Sequence, residues 1–137
     1  MPSTLVFDSW ALLSWLKDEA AAAEVGQMLE DAAQGRCAIL MSWVNIGEVF
    51  YMLSRKLGVR RAEAFRQALP QLPIRCVPVT AVDVWAAAEL KAGYRASYAD
   101  CFAAALALRH DCALVTGDPE MQQLPAIKLR WIGPQQS

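Results

Sequence analysis

Short apolar runs alternating with longer helical patterns constrain this chain more than any other feature. Leu5-Val6-Phe7 is a β-rich run ending in Asp8, and it reads as a buried strand. A helix is predicted over residues 9–17, with Leu12, Leu13 and Leu16 apolar, and an Ala-rich helix over 19–33 closed by Gly35. A second strand is expected over 37–41. Ser42 is placed to cap the next helix, which runs to residue 57 and stops at Gly58. Ile46, Val49, Phe50, Leu53 and Leu57 form one apolar stripe on it at helical spacing. A helix over 60–69 ends before Pro70, and a strand is expected over 75–79. Thr80 opens a helix over 81–92 with Asp83 in the capping-box position, and Ser97 opens another through the Ala-rich segment 99–109. Strands over 112–116 and 129–132 complete the pattern. This alternation predicts an α/β fold: one domain over residues 1–137, built on a small, mostly parallel sheet.

Composition narrows the function. With 55% apolar residues, the 137-residue chain can bury a sizeable core, which excludes a disordered regulator. Thirteen Lys and Arg against fourteen Asp and Glu give a net charge of −1, so nucleic acid would have to be held by a local site rather than by bulk charge. Cys37, Cys76, Cys101 and Cys112 form no Cys-x-x-Cys pair and His110 is the single histidine, which argues against zinc and for buried free thiols. There is no basic segment followed by an apolar leader. The longest uncharged stretch, residues 37–47, falls short of the roughly 20 apolar residues that span a bilayer. A soluble, cytoplasmic protein without a membrane partner is expected.

Four acids stand out by position. Asp8 ends the first strand and Asp118 follows the fourth, and in open α/β sheets ligands bind outside the carboxyl ends of strands. Asp100 lies in the first turn of the Ala-rich helix, aligned with Ala103, Ala104 and Ala107. Glu48 lies opposite the main apolar stripe of its helix, beside Val44, Tyr51 and Met52. Each aspartate also fits a capping role, Asp100 with Ser97 and Asp118 with Pro119; Glu48 does not. No Lys or Arg motif is placed to neutralise the four. Clustered carboxylates repel one another, and a hard divalent cation, Mg²⁺ or Mn²⁺, resolves that conflict.

These segments resemble the PIN domain, in particular the VapC-type ribonuclease toxins of bacterial toxin–antitoxin pairs. The resemblance is carried by the strand ending in Asp8-Ser9 and by Asn45-Ile-Gly-Glu48-Val-Phe-Tyr51. Tyr98-Ala-Asp100-Cys-Phe-Ala-Ala-Ala105 and Leu114-Val-Thr-Gly-Asp118 carry it further. It implies a three-layer fold with a small sheet flanked by helices, and endonucleolytic cleavage of RNA to 5′-phosphate and 3′-hydroxyl ends. Asp8, Glu48, Asp100 and Asp118 match the family's acidic positions. Asp8 and Asp100 would coordinate the cation directly, and Asp118, helped by Thr116, would ligate a second metal or orient a water. Glu48 would hold a water or take its proton. Ser9 and Thr116 match positions whose hydroxyls support the site. Ser97 stands where many relatives carry a further acid. The resemblance also implies a homodimer and a small antitoxin that occludes the acidic pocket.

Arg55, Lys56, Arg60, Arg61 and Arg66 cluster near Gly58 and could track RNA phosphates, or form a solvated, salt-bridged helix face. Trp10, Trp15, Trp43, Trp85 and Trp131 could include a base-stacking platform, or serve as core and interface anchors. Two other classes compete: a PIN-fold binding or scaffold module without catalysis, and another acid-site enzyme such as a phosphatase. The phosphatase class wants a second acid two residues after Asp8, where Trp10 stands.

Overall fold

The sheet grows outward from the strand that delivers Asp8. The computed structural model describes residues 3–135, so the expected domain bounds at residues 1 and 137 lie outside the described residues. Its strands are β1 (Ser3–Phe7), β2 (Cys37–Ser42), β3 (Arg75–Val77), β4 (Ala113–Thr116) and β5 (Leu129–Trp131). They form one sheet in the order β3-β2-β1-β4-β5. Every pairing is parallel, with Leu5 beside Ile39 on one side and Ala113 on the other. All carboxyl ends therefore share one edge. The chain steps from β1 out to β2 and β3, then returns to the opposite side of β1 as β4. That reversal opens a crevice between β1 and β4 at the carboxyl edge, the usual position for a ligand in an open parallel sheet.

Side chains alternate across β1. Leu5 and Phe7 join Ile39, Met41 and Val115 on one face; Val6 joins Leu40 and Leu114 on the other. The first face is covered by α1 (Ser9–Leu16), α2 (Ala22–Ala33), α3 (Trp43–Leu57) and α4 (Val59–Ala68). The second is covered by α5 (Ala81–Gly93) and α6 (Tyr98–Arg109), whose Ala87, Ala103, Ala104 and Ala107 are buried. This is the expected three-layer α/β arrangement. Strands buried on both faces explain why their sequences read as unbroken apolar runs.

The expected caps form. The Val44 N–H donates to Ser42 Oγ at 3.2 Å, and the Asp100 N–H to Ser97 Oγ at 3.1 Å. Thr80 and Asp83 exchange bonds in a complete capping box. Gly58, at φ 96°, holds the bend between α3 and α4 in a region that side chains with a Cβ rarely enter. Most element ends fall within a residue or two of expectation; the larger differences are these. The second helix begins at Ala22 rather than 19, because Asp18 takes a left-handed φ of 52° and turns the chain first. β3 ends at Val77, since Pro78 has no N–H for the ladder. Between Asp118 and the last strand the sequence offers only a cap followed by proline, and there the chain makes a 3-10 turn over Pro119–Gln123.

All four cysteines are free, but only Cys101 is fully buried; Cys37, Cys76 and Cys112 are half-buried. Among the described residues no helix is long and apolar enough to cross a membrane.

Candidate active site

Asp8 leaves β1 and becomes the N-cap of α1. Its Oδ1 accepts from the Ala11 N–H at 2.9 Å, and its Oδ2 accepts a short bond from the Thr116 hydroxyl. The side chain has no solvent exposure. Burial is the main reason its pKa is pushed from the ordinary 3.8 up to about 8. The bonds from Thr116 and Ala11 oppose that shift, and the charges of Asp100 and Asp118 add to it. Thr116, the last residue of β4, also accepts from the Asp118 N–H at 3.0 Å. One hydroxyl thus ties the carboxyl end of β1 to the turn that carries Asp118.

Asp118 caps the 3-10 turn, its Oδ1 accepting from the Glu120 N–H at 3.0 Å with Pro119 next in line. Asp100 is 6% exposed and its pKa is pushed up to about 6. Burial is again the first cause; the charges of Asp118 and Glu48 add to it and bonds from Ser97 oppose it. Glu48 is half-buried, and its Oε2 accepts from the Tyr51 hydroxyl at 3.3 Å. The capping roles foreseen for the aspartates are therefore present, and they coexist with convergence. Asp8, Asp100 and Asp118 feel one another's charge, and Asp100 feels Glu48.

One acid was not foreseen. Oxygens of Asp100, Asp118 and Glu120 lie within 4.8 Å of one another, close enough to share a cation. The signal was an acid two residues after Asp118, but without the 3-10 turn nothing in the sequence placed it toward the site. None of the ion pairs among the described residues includes these five acids.

The turn between Thr116 and Asp118 is clamped. A Cβ on Gly117 would lie 2.3 Å from the Trp10 ring, and one on Gly133 would lie 2.7 Å from the Gly117 backbone. Both positions require glycine because the neighbours approach so closely.

A family model for the PIN domain matches residues 5–127. This chain is a member of the PIN-domain family. Several solved structures share the fold at low sequence identity. VapC20 of Mycobacterium tuberculosis, described as a sarcin-ricin-loop-cleaving toxin, is 18% identical with a TM-score of 0.74; 92% of this chain and 98% of that chain align. VapBC2 of Rickettsia felis, bound to a DNA fragment from its promoter, is 15% identical with a TM-score of 0.70 over 93% and 97%. DNA-bound VapBC of Salmonella typhimurium is 14% identical with a TM-score of 0.70 over 95% and 98%. No curated protein matches the chain by sequence.

In this PIN domain the remaining candidates lie outside the acidic cluster. The Ser9 hydroxyl reaches α3, donating to the Asn45 carbonyl at 3.2 Å, rather than bonding to an acid. Arg55, Lys56, Arg60, Arg61 and Arg66 are all exposed. The Arg55 guanidinium stands 5.0 Å from the Tyr51 ring centroid, so Glu48, Tyr51 and Arg55 form a row along α3. Arg61 donates to the Leu16 carbonyl at 3.5 Å, and Arg66 pairs with Glu63 at 3.5 Å. Of the tryptophans, Trp85 (70% exposed) and Trp43 (48%) are open to solvent, whereas Trp10, Trp15 and Trp131 are half-buried. A cleft of about 710 Å³ shares Trp10 with the site and is lined also by Lys17, Met52 and Lys56.

Proposed function

We propose that this PIN-domain chain is a Mg²⁺- or Mn²⁺-dependent endoribonuclease, a toxin kept in check by a small antitoxin. The observation that carries this reading is the convergence of carboxylates from distant segments with no cationic side chain paired to them among the described residues. The donor set fits a hard divalent ion. Oxygens of Asp100, Asp118 and Glu120 lie within bridging distance of one another, without a thiol or imidazole, and Asp8 is near enough to feel the charges of Asp100 and Asp118. Asp8, Asp100 and Asp118 would hold the ion, with Glu120 as a further donor. Bound there, the ion supplies positive charge to a scissile phosphate and acidifies an attacking water.

The protein's own groups do the rest. The Thr116 hydroxyl keeps Asp8 and Asp118 in fixed relation. Glu48, oriented by Tyr51, takes the proton of the water that attacks phosphorus. Arg55, Lys56, Arg60 and Arg61 offer exposed positive charge to flanking phosphates, and the cleft beside Trp10 offers room for a neighbouring nucleotide. The similarity to a toxin described as cleaving the sarcin-ricin loop supports RNA as substrate, and the similarity to VapBC complexes supports an antitoxin partner. Exposed Val82, Val84 and Trp85 on α5 give a second copy of the chain an apolar surface to cover. The proposed setting is the cytoplasm.

The test is direct. Purified protein should cut RNA with Mg²⁺ or Mn²⁺ and stop when EDTA is added, and Asp100→Asn should fold yet cut nothing. A folded chain with no cation-dependent cleavage and no cation-induced thermal shift is a scaffold, and the nuclease reading is then wrong.

A further inference from the structure

Asn45 is fully buried, and from the helix that carries Glu48 its amide reaches the two segments that carry Asp8 and Asp100. Its Nδ2 donates to the Ala99 carbonyl at 3.0 Å, immediately before Asp100. The same nitrogen lies 3.4 Å from Ser9 Oγ, immediately after Asp8, and that hydroxyl donates back to the Asn45 carbonyl at 3.2 Å. Glu48 follows Asn45 by one helical turn on α3. The partners are 36 and 54 residues away in sequence, so these bonds tie together parts of the chain that the local fold does not.

The amide orientation is set by chemistry. A carbonyl oxygen only accepts, so the group facing Ala99 must be the NH₂. The other end, Oδ1, is buried with no partner among the described residues. Such an atom is a cost to folding that an apolar side chain of similar size would not carry. A neutral donor also leaves the carboxylates free for a cation, whereas a Lys or Arg in the same place would neutralise them itself.

We infer that Asn45 is a positioning residue: it sets the spacing of Asp8, Glu48 and Asp100 by cross-linking their three segments, without touching the reacting atoms. This rests on the nuclease reading above. Asn45→Leu keeps the volume and removes both amide bonds; Ser9→Ala removes one arm of the link.

The deciding measurement is Mn²⁺ binding by calorimetry on the full chain, with RNA cleavage kinetics beside it. Asn45→Leu should weaken Mn²⁺ about tenfold and lower kcat about 10–100-fold, the range seen when groups that orient metal ligands are removed. KM for RNA should stay within about twofold, since no RNA contact is lost. Ser9→Ala should weaken Mn²⁺ less on its own and add less than its single effect in the Asn45→Leu background, because only the bond from Ser9 to the residue-45 carbonyl is then left to lose. Unchanged Mn²⁺ affinity in Asn45→Leu overturns the inference while leaving the nuclease intact. Should Asn45→Leu not fold, Ser9→Ala decides alone, weaker Mn²⁺ binding supporting the link and parental binding overturning it. A parent that binds no Mn²⁺ and cuts no RNA overturns the nuclease reading, and this inference with it.

Discussion

Asp8→Asn should stabilise the metal-free protein at neutral pH while destroying its function. The Asp8 carboxyl titrates near pH 8 in the fold against an ordinary 3.8. A raised folded pKa means the group's contribution to stability is full below about pH 4 and is lost as pH climbs through about 8. Each unit between those limits costs about 1.4 kcal/mol, so at pH 7, where the buried carboxyl still holds its proton and the unfolded one does not, the cost is at most about 4 kcal/mol. At pH 5 the cost is under about 2 kcal/mol by the same relation. Asparagine keeps the shape, still accepts from Ala11, and carries no charge. It turns the Thr116 hydroxyl from donor to acceptor, which gives back about 1 kcal/mol. The net gain of roughly 2–3 kcal/mol corresponds to a rise of roughly 5–12 °C in melting temperature for a chain this long. The assay is thermal melting in EDTA from pH 5 to 8.5, repeated with Mn²⁺. In EDTA the parent should lose stability as pH rises to about 8, and the variant should level off once Asp100 has titrated near pH 6 and melt higher above that pH. With Mn²⁺ at a hundredfold excess over Kd the gap should close, since the parent gains about 2.7 kcal/mol and the variant little, and at a thousandfold excess, worth about 4.1 kcal/mol, the order should reverse. A variant that melts below its parent in EDTA at pH 7.5, or a parent whose stability does not change with pH, would refute the claim that Asp8 is desolvated among like charges.

Other substitutions probe the walls of the same site. Gly117→Ala should cost about 1–3 kcal/mol in a urea melt, because its methyl meets the Trp10 ring. Pairing it with Trp10→Leu should recover part of that loss, and a Gly117→Ala melt equal to the parent's would show that the turn is not clamped. Glu120→Gln should weaken Mn²⁺ several-fold in calorimetry with little change in the metal-free melt, as this side chain is exposed at the rim of the cluster. Thr116→Val leaves the Asp118 N–H without its partner and should cost about 1–2 kcal/mol. It should also lower RNA cleavage more than stability alone explains, measured as kcat at a temperature where both proteins are folded.

The sequence determined what depends on neighbours. Strand and helix alternation, the Ser42 and Ser97 caps, the Thr80–Asp83 box and the break at Gly58 all follow from contacts within a turn or two, so they are legible in order along the chain. Local strain moved the edges: Pro78 shortened β3, and the left-handed Asp18 delayed α2. The candidate aspartates were visible as strand-end and helix-start residues, and each could also be explained as a cap; Glu48 could not. Only the tertiary structure decided that they cap and converge together. Strand order put β1 and β4 side by side, which set Asp8 against Thr116 across 108 residues of chain. It also rolled Glu120 toward Asp118 through a 3-10 turn, laid Trp10 against Gly117, and drew Asn45 onto Ala99. Such meetings depend on which faces pack over the sheet and where the chain reverses. Those choices are settled by burial summed over the whole fold, and no short stretch of residues records them.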